Sequence, residues 1–262
     1  QLLATVNANG NRTGGGYIHP NYAGGITRVY AHPTLSANAI SVTTQDKSGR
    51  TYLISPRMRH RFDGLNIDYS LSYSNAATYY DISHNNDKYD SRPKGTVTMR
   101  LPNIGWTVDR TRDPIVPTIT QTEGPDMYNL NNYSTLLLAQ NDRRGFDTVV
   151  SGKFDLKKDF SLALPTFVKT GFTYQTQLRK LWGDSRRYNY TGPDGILGTA
   201  DDNRDLGQFT DRTGYHEMDE KVYRERGGAP VWPNPYAVAQ HQKQYPELWK
   251  EDIAFGALAR VQ

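Results

Sequence analysis

The chain has 262 residues and a formal net charge of +4, and only 36% of its residues belong to the hydrophobic set. It contains no cysteine, which excludes disulfide scaffolds, thiolate chemistry and cysteine zinc sites. No run approaches the roughly 20 apolar residues that a membrane-spanning helix needs. Basic residues are interleaved with acidic ones, which argues against a nucleic-acid partner.

The predicted elements begin with a weak strand from Leu2 to Ala8, and a long polar segment, residues 9 to 50, follows it. From Thr51 to Ala76 apolar and polar residues alternate, a pattern typical of strands with two unlike faces. Asp63-Gly64 interrupts the alternation, and this dipeptide favours the two-residue type I′ turn of a hairpin. The sequence therefore predicts two strands joined by a tight turn.

The predicted turn fixes the register of this hairpin and separates its two faces. One face pairs mainly apolar and aromatic residues: Phe62 with Leu65, His60 with Ile67, Met58 with Tyr69, Pro56 with Leu71, and Ile54 with Tyr73. The other face carries Arg57, Arg59, Arg61 and Asp68, and it places Arg59 opposite Asp68. Because Pro56 removes a backbone donor from the ladder, we expect a bulge or an edge-like pairing there.

Two further alternating segments, Phe146 to Lys158 and Phe167 to Leu178, predict a second hairpin with a short link. A last, weak strand is predicted from Ile253 to Val261. Two more polar segments, residues 78 to 145 and 180 to 251, are rich in Gly, Asn, Asp, Tyr and Pro. Long and short connections thus alternate, as they do in outer-membrane barrels with short periplasmic turns and long extracellular loops.

We therefore predict an all-β fold: an antiparallel up-and-down meander of six strands that is part of a large transmembrane β-barrel with long extracellular loops. In such a barrel the apolar face meets lipid, and Arg57, Arg59, Arg61 and Asp68 face the lumen. The alternative is a secreted, soluble β-sandwich or solenoid that binds carbohydrate, in which the polar face lies outside. A third possibility is an outer-membrane adhesin or porin.

The segment from Tyr52 to Ser74 resembles the strand-turn-strand repeat of TonB-dependent receptor barrels. In that repeat an HRF ending (here His60 to Phe62) precedes a short turn and a DYSLSYS-like strand (here Asp68 to Ser74). Lys153 to Lys158, followed by Val168 to Tyr174, resembles a second hairpin of the same barrels. Together these segments contain 36 of the 262 residues, about a seventh of the chain.

The resemblance implies a barrel of about 22 strands with an internal plug, located in the outer membrane of a Gram-negative bacterium. Such receptors import a scarce ligand, such as siderophore-bound iron, cobalamin or an oligosaccharide, and the implied partners are TonB through the plug, outer-membrane lipid and lipopolysaccharide. Six strands do not close even a barrel of about eight, and no plug-like segment is visible. We therefore expect residues 1 to 262 to be one fragment of the barrel, without catalytic residues.

Two sets of loop residues are candidates for binding. One set contains aromatic rings that either stack on a small-molecule or glycan ligand or pack the loop against its neighbours: Tyr188, Tyr190, Tyr215, Tyr223, Trp232 and Tyr236. The other set offers the carboxylate oxygens that calcium prefers: Asp194, Asp201, Asp202 and Asp205. Their spacing is not that of an EF-hand, so a solvated, metal-free loop is the competing interpretation. No other cofactor is expected.

Overall fold

The computed structural model describes residues 2–3, 25–81, 92–115, 117–211 and 231–255. By its contacts the chain divides into two compact units. Unit 1 comprises residues 1–45, 82–141 and 185–262, and unit 2 comprises residues 46–81 and 142–184. The fold is mostly β with antiparallel sheets, as predicted.

The strands are β1 (Leu2–Leu3), β2 (Ile26–Val29), β3 (Ala37–Thr43), β4 (Asp46–Ile54), β5 (Arg57–Phe62), β6 (Leu65–Asp81), β7 (Thr96–Pro102), β8 (Gly105–Asp109), β9 (Thr118–Glu123), β10 (Thr135–Phe160), β11 (Thr166–Tyr190) and β12 (Trp249–Glu251). An α-helix, which we call α1, spans Pro235–Gln244. Short 3-10 helices span Leu130–Asn132, Ala200–Asn203, Leu206–Phe209 and Pro246–Leu248. Among the described residues, no helix has the length and apolar character needed to cross a membrane.

Strand β6 is the centre of unit 2, where it pairs with β4 and β5 along one edge and with β10 along the other. Strand β11 lies next to β10 in the sheet order. The predicted register of the first hairpin is confirmed, with the pairs Phe62 and Leu65, His60 and Ile67, Met58 and Tyr69, Arg59 and Asp68, and Ile54 and Tyr73. Apolar alternation over the whole hairpin explains this agreement, because a slip by one residue would mix the two faces.

Pro56 lies in the gap between β4 and β5. Both strands pair with β6 in one continuous register, so no extra residue is inserted and the bulge that we considered is absent. The amide of Leu71 donates to the carbonyl of Pro56 at 3.1 Å. The reciprocal bond is missing because proline has no N–H. The proline therefore removes one ladder bond on the side that faces β6, and neither the bulge nor the edge-like pairing that we expected is present.

Asp63 and Gly64 form the predicted turn. Of the two, only Gly64 has a positive φ, 62°. A type I′ turn needs a positive φ at both residues, so our assignment of the turn type was wrong. The carbonyl of Gly64 accepts a hydrogen bond from the amide of Asp159 at 2.8 Å, which ties this turn to the end of β10.

The second hairpin is confirmed, and its strands are longer than predicted. The alternating segments lie inside β10 and β11, which have 26 and 25 residues. The additional residues were assigned to loops, but they continue the strands, and those at the start of β10 include the buried Leu136 and Leu138. The alternation of apolar and polar residues therefore predicted only part of each strand.

Unit 1 contains nearly all of the buried apolar side chains, although the sequence predicted long polar loops there. Strand β3 pairs with β7, β7 pairs with the first residues of β10, and β2, β8 and β9 form a separate sheet. The core that these strands share with α1 and the 3-10 helices includes Val97, Met99, Leu101, Trp106, Leu136, Leu138, Leu206, Phe209 and Val238. The prediction that these segments are long polar loops was wrong, because their short strands bury apolar residues against partners that are distant in the sequence.

The weak strands predicted at the two ends are only partly covered by the described residues. Leu2–Leu3 is a strand that pairs with β3, and residues 4–8 lie outside the described ranges. Ile253 to Phe255 are helical rather than extended. A carboxylate oxygen of Asp252 accepts a hydrogen bond from the amide of Phe255 at 3.1 Å, and such a bond caps the first turn of a helix. Residues 256–261 lie outside the described ranges.

Candidate functional site

Alternate residues of the unit 2 strands form what we call the apolar face. Four of its large side chains, Leu65, Ile67, Phe154 and Leu156, are half-buried. Twelve others are 37–67% exposed: Tyr52, Ile54, Met58, Phe62, Tyr69, Leu71, Tyr73, Val150, Val168, Phe172, Tyr174 and Leu178. Contacts within the face are aromatic in part, since the rings of Phe154 and Phe172 stack at 5.8 Å and those of His60 and Tyr69 at 5.7 Å. Contiguous exposed apolar side chains of this kind mark protein-protein interfaces, membrane-facing surfaces or ligand-binding surfaces.

The opposite face of the same strands carries charge. A groove of about 340 Å³, which we call the cationic groove, is lined by Arg57, Arg59, Arg61, Asn66, Asp68, Lys153, Asp155, Lys157 and Lys169. The four residues predicted to face a lumen lie together in it. Strands β10 and β11 add three lysines, which the sequence analysis did not assign to a site. The pairing of β6 with β10 brings two of them onto this face, Lys153 opposite Ser70 and Lys157 opposite Asn66.

Short ion pairs organise the cationic groove. Arg59 Nε donates to Asp68 Oδ1 at 2.6 Å, and a terminal nitrogen of Arg57 lies 3.5 Å from the same oxygen. Lys153 Nζ lies 3.1 Å from Asp155 Oδ2. All these side chains are at least partly exposed, so the pairs contribute little to stability. Their main effect is to orient the guanidinium and ammonium groups.

The Asp-rich loop of unit 1 brings three of its four candidate carboxylates together. Oxygens of Asp194, Asp201 and Asp202 lie within 4.8 Å of one another. Asp205 is not in this group; it precedes a 3-10 helix and has a φ of 58°. Gly192 has a φ of 64°, and a Cβ there would lie 2.6 Å from the carbonyl oxygen of Asp201. The loop therefore depends on glycine for its close backbone approach.

The same carboxylates accept hydrogen bonds from the loop itself. Asp201 Oδ2 accepts from the amide of Asp194 at 3.1 Å, and Asp202 Oδ2 accepts from the amide of Gly198 at 2.7 Å. The hydroxyl of Thr199 donates to Asp201 Oδ1 at 2.6 Å. That bond, with the backbone bond from Asp194, lowers the pKa of Asp201 below its ordinary value. Three carboxylates suit calcium, but these donors also close the loop without an ion, so the calcium site stays a prediction.

The predicted ligand-binding aromatics are distributed differently. Tyr190 is only 6% exposed; its ring packs against Phe209 and Trp249 in the core, which favours the packing alternative for this residue. Tyr188 and Trp232 are partly buried against the same core. The guanidinium of Arg92 lies 3.8 Å from the centre of the Tyr236 ring. The remaining two, Tyr215 and Tyr223, lie outside the described residues.

Sequence analysis missed His241, which lies on α1 among aromatic rings. Ring centres of Tyr190, Phe209, Tyr245 and Trp249 lie 5.0–6.0 Å from its own. Trp249 Nε1 donates to His241 Nδ1 at 3.2 Å, which requires Nδ1 to be unprotonated. Burial lowers the pKa of His241, and nearby Glu247 acts in the opposite direction. In the sequence, the four-residue spacing of His241, Tyr245 and Trp249 was the feature from which this cluster could have been predicted.

Among the described residues, two arrangements have the chemistry to bind a ligand or an ion: the cationic groove and the Asp-rich loop. Compared with protein-family models and with curated proteins, the sequence has no significant match to either. Its function is therefore argued from the faces and charges described above.

Proposed function

We propose that this chain forms part of the wall of a large outer-membrane β-barrel of the TonB-dependent receptor kind. The observation that carries the proposal is the apolar face of unit 2, on which twelve large side chains are 37–67% exposed. A domain in water covers such a face with a second layer of helix or sheet. None of the described residues of unit 2 supplies that layer. In a membrane barrel, lipid takes its place.

Strand length and pairing support the same proposal. A tilted strand crosses the hydrocarbon with about 9–11 residues, and β6, β10 and β11 have 17, 26 and 25 residues. Among the described residues of unit 2, β4 and β5 pair only with β6, and β11 has only β10 as a neighbour. Unpaired edges are unfavourable in hydrocarbon, so further strands would close the wall.

The proposed activity is energised import. The apolar face meets outer-membrane lipid, the cationic groove faces the aqueous lumen, and a plug coupled to TonB gates passage of a scarce ligand such as siderophore-bound iron, cobalamin or an oligosaccharide. The role is transport, without making or breaking bonds in the ligand. A secreted carbohydrate-binding sandwich is less well supported, because its apolar faces would pack against each other.

Single cysteines test the proposal, because the chain has none of its own. Leu71→Cys and Val150→Cys put a spin label on the apolar face, and Ser72→Cys and Ser151→Cys are matched controls one residue further along the same strands. In membranes that contain the full protein, we expect the first two labels to collide with oxygen dissolved in lipid. The control labels should collide with a water-soluble nickel chelate. Equal access of the chelate to all labels would contradict the proposal.

A second measurement separates a receptor from a porin or an adhesin. Uptake through a TonB-dependent receptor requires TonB and an energised inner membrane, whereas diffusion through a porin requires neither. We therefore expect cells that carry the full protein to accumulate its ligand only when TonB is present. Accumulation without TonB would contradict the assignment as a TonB-dependent receptor. It would not contradict the proposal that the chain forms part of a barrel wall.

A further inference from the structure

We propose that the cationic groove is a binding site for a small molecule that carries several carboxylate or phosphate groups. The inference deepens the proposed function, on which it rests, by naming the chemical class of ligand that enters the lumen. Its basis is the charge, spacing and size of the groove.

The cations of the groove are closely spaced on one face. Arg57, Arg59 and Arg61 occupy alternate positions of β5, so neighbouring attachment points lie about 6.5–7 Å apart. Lys153 and Lys157 repeat this arrangement on β10 at a spacing of four residues, and Lys169 lies on β11. Like charges at such distances repel each other. A bound anion removes that repulsion.

The groove also has an excess of positive charge. Its lining holds six cations and two carboxylates, a net charge of +4, and one further carboxylate, that of Asp159, lies 2.8 Å from Lys157 Nζ. Both carboxylates are already engaged, Asp68 by two arginines and Asp155 by Lys153. Within the described part of the chain, Arg61 and Lys169 have no carboxylate partner. The excess charge is therefore local and only partly offset from within.

The donor set indicates the kind of anion. Guanidinium groups bind carboxylate and phosphate oxygens through paired hydrogen bonds, and lysines add point charges. The volume of about 340 Å³ is at the lower end of the range for small-molecule sites. Because the cations are distributed over β5, β10 and β11, a single monovalent group reaches only some of them. A ligand with several anionic groups engages more of them at once.

Calorimetric titration of the full protein in detergent tests this site. The probes are inorganic triphosphate and citrate, which separate a phosphate ligand from a carboxylate ligand. We expect at least one of them to bind with a stoichiometry of one and to bind more weakly as salt increases. Arg61→Gln and Lys169→Gln should each weaken binding, on the order of three- to tenfold for one exposed charged contact.

Two further variants keep the test independent of folding defects. Asn66→Asp is nearly isosteric and places a carboxylate directly opposite Arg61, so it should weaken binding without removing a cation. Lys243→Gln removes one exposed cation from α1, outside the groove, and should leave binding unchanged. Circular dichroism of each variant confirms the strand content.

Binding of neither probe would overturn the inference, as would an equal loss of affinity in Lys243→Gln. The outcomes for the two proposals are distinguishable. Lipid-facing labels at Leu71 and Val150 without anion binding would remove this inference alone. If the protein binds an anion but the water-soluble chelate reaches the labels at both positions, the barrel proposal is contradicted instead.

Discussion

Units 1 and 2 are both built mainly from antiparallel strands, but they treat apolar side chains in opposite ways. In unit 1, Val97, Met99, Leu101, Leu136 and Leu138 are at most 1% exposed. Among the described residues of unit 2, Ala77 is the only buried hydrophobic residue. The difference teaches that alternation defines a face but not the phase that the face meets. The packing partner across the face decides that.

The comparison is tested most strongly by matched leucine truncations. Leu136→Ala leaves a cavity in the unit 1 core, and we expect it to destabilise that unit by about 2–5 kcal/mol. Leu71→Ala, on the apolar face, should cost only about 1–2 kcal/mol, because under the proposed function lipid fills the vacated space. Hydrogen exchange of the strand that carries each substitution, in lipid vesicles, measures both. Equal costs would contradict the difference between the units.

Charge substitutions sharpen the comparison within unit 2. If the apolar face meets lipid as proposed, Leu71→Arg should destabilise the membrane-bound protein by up to about 2–4 kcal/mol, with the largest value near the bilayer midplane. Ser72→Arg, its control on the opposite face, should have little effect. Urea titration of the vesicle-bound protein gives both free energies of unfolding. Similar tolerance of arginine at the two positions would mean that both faces are wet.

Acid should affect unit 1 through His241. Its pKa is lowered from the ordinary value of 6.5 in the folded state, so the unfolded state binds the proton more readily. The stability contribution of neutral His241 is therefore fully present above pH 6.5 and decreases as the pH falls from there toward the lowered folded pKa. Hydrogen exchange of α1 as a function of pH measures this loss, and His241→Gln should flatten the profile in this window. An unchanged profile in the variant would exclude His241 as the cause.

The smallest effect is expected at the Asp-rich loop. Since Gly198 and Thr199 already donate to its carboxylates, we expect a calcium chelator to leave the thermal midpoint of the protein unchanged. Scanning calorimetry with chelator and then with excess calcium makes the measurement, with magnesium as the control ion. A rise that is specific to calcium and is lost in Asp202→Asn would instead establish the calcium site.

The sequence predicted the first hairpin residue by residue because all the information for it is local. Asp63-Gly64 marks the turn, and uninterrupted alternation on either side fixes the pairing. The charged side chains of β5 and β6 in the cationic groove were predicted for the same reason. Lys153, Lys157 and Lys169 were not, because the register between β6 and β10 is set across a long intervening segment.

Unit 1 was harder to predict for a related reason. Val97, Met99 and Leu101 do alternate, but over only seven residues, in a strand that ends in a proline. Their burial depends on Leu136, Leu138 and helix α1, which are distant in the sequence. His241 likewise acquires its environment only when β11, α1 and β12 come together.

Pro56 has one more consequence, for assembly. The carbonyl of Pro56 accepts a hydrogen bond from the amide of Leu71 on β6. In an antiparallel ladder the N–H and C=O of one residue point to the same neighbouring strand, so the N–H that Pro56 lacks would also have pointed to β6. On the edge of β4 and β5 that faces away from β6, Pro56 therefore removes no amide donor. Water-soluble sheets often place a proline on such an edge to prevent pairing with another strand. None of the described strands pairs with this edge, so its amides are available to a further strand. Because this edge keeps its amide donors, we expect copies of the protein in buffer without lipid to associate edge to edge.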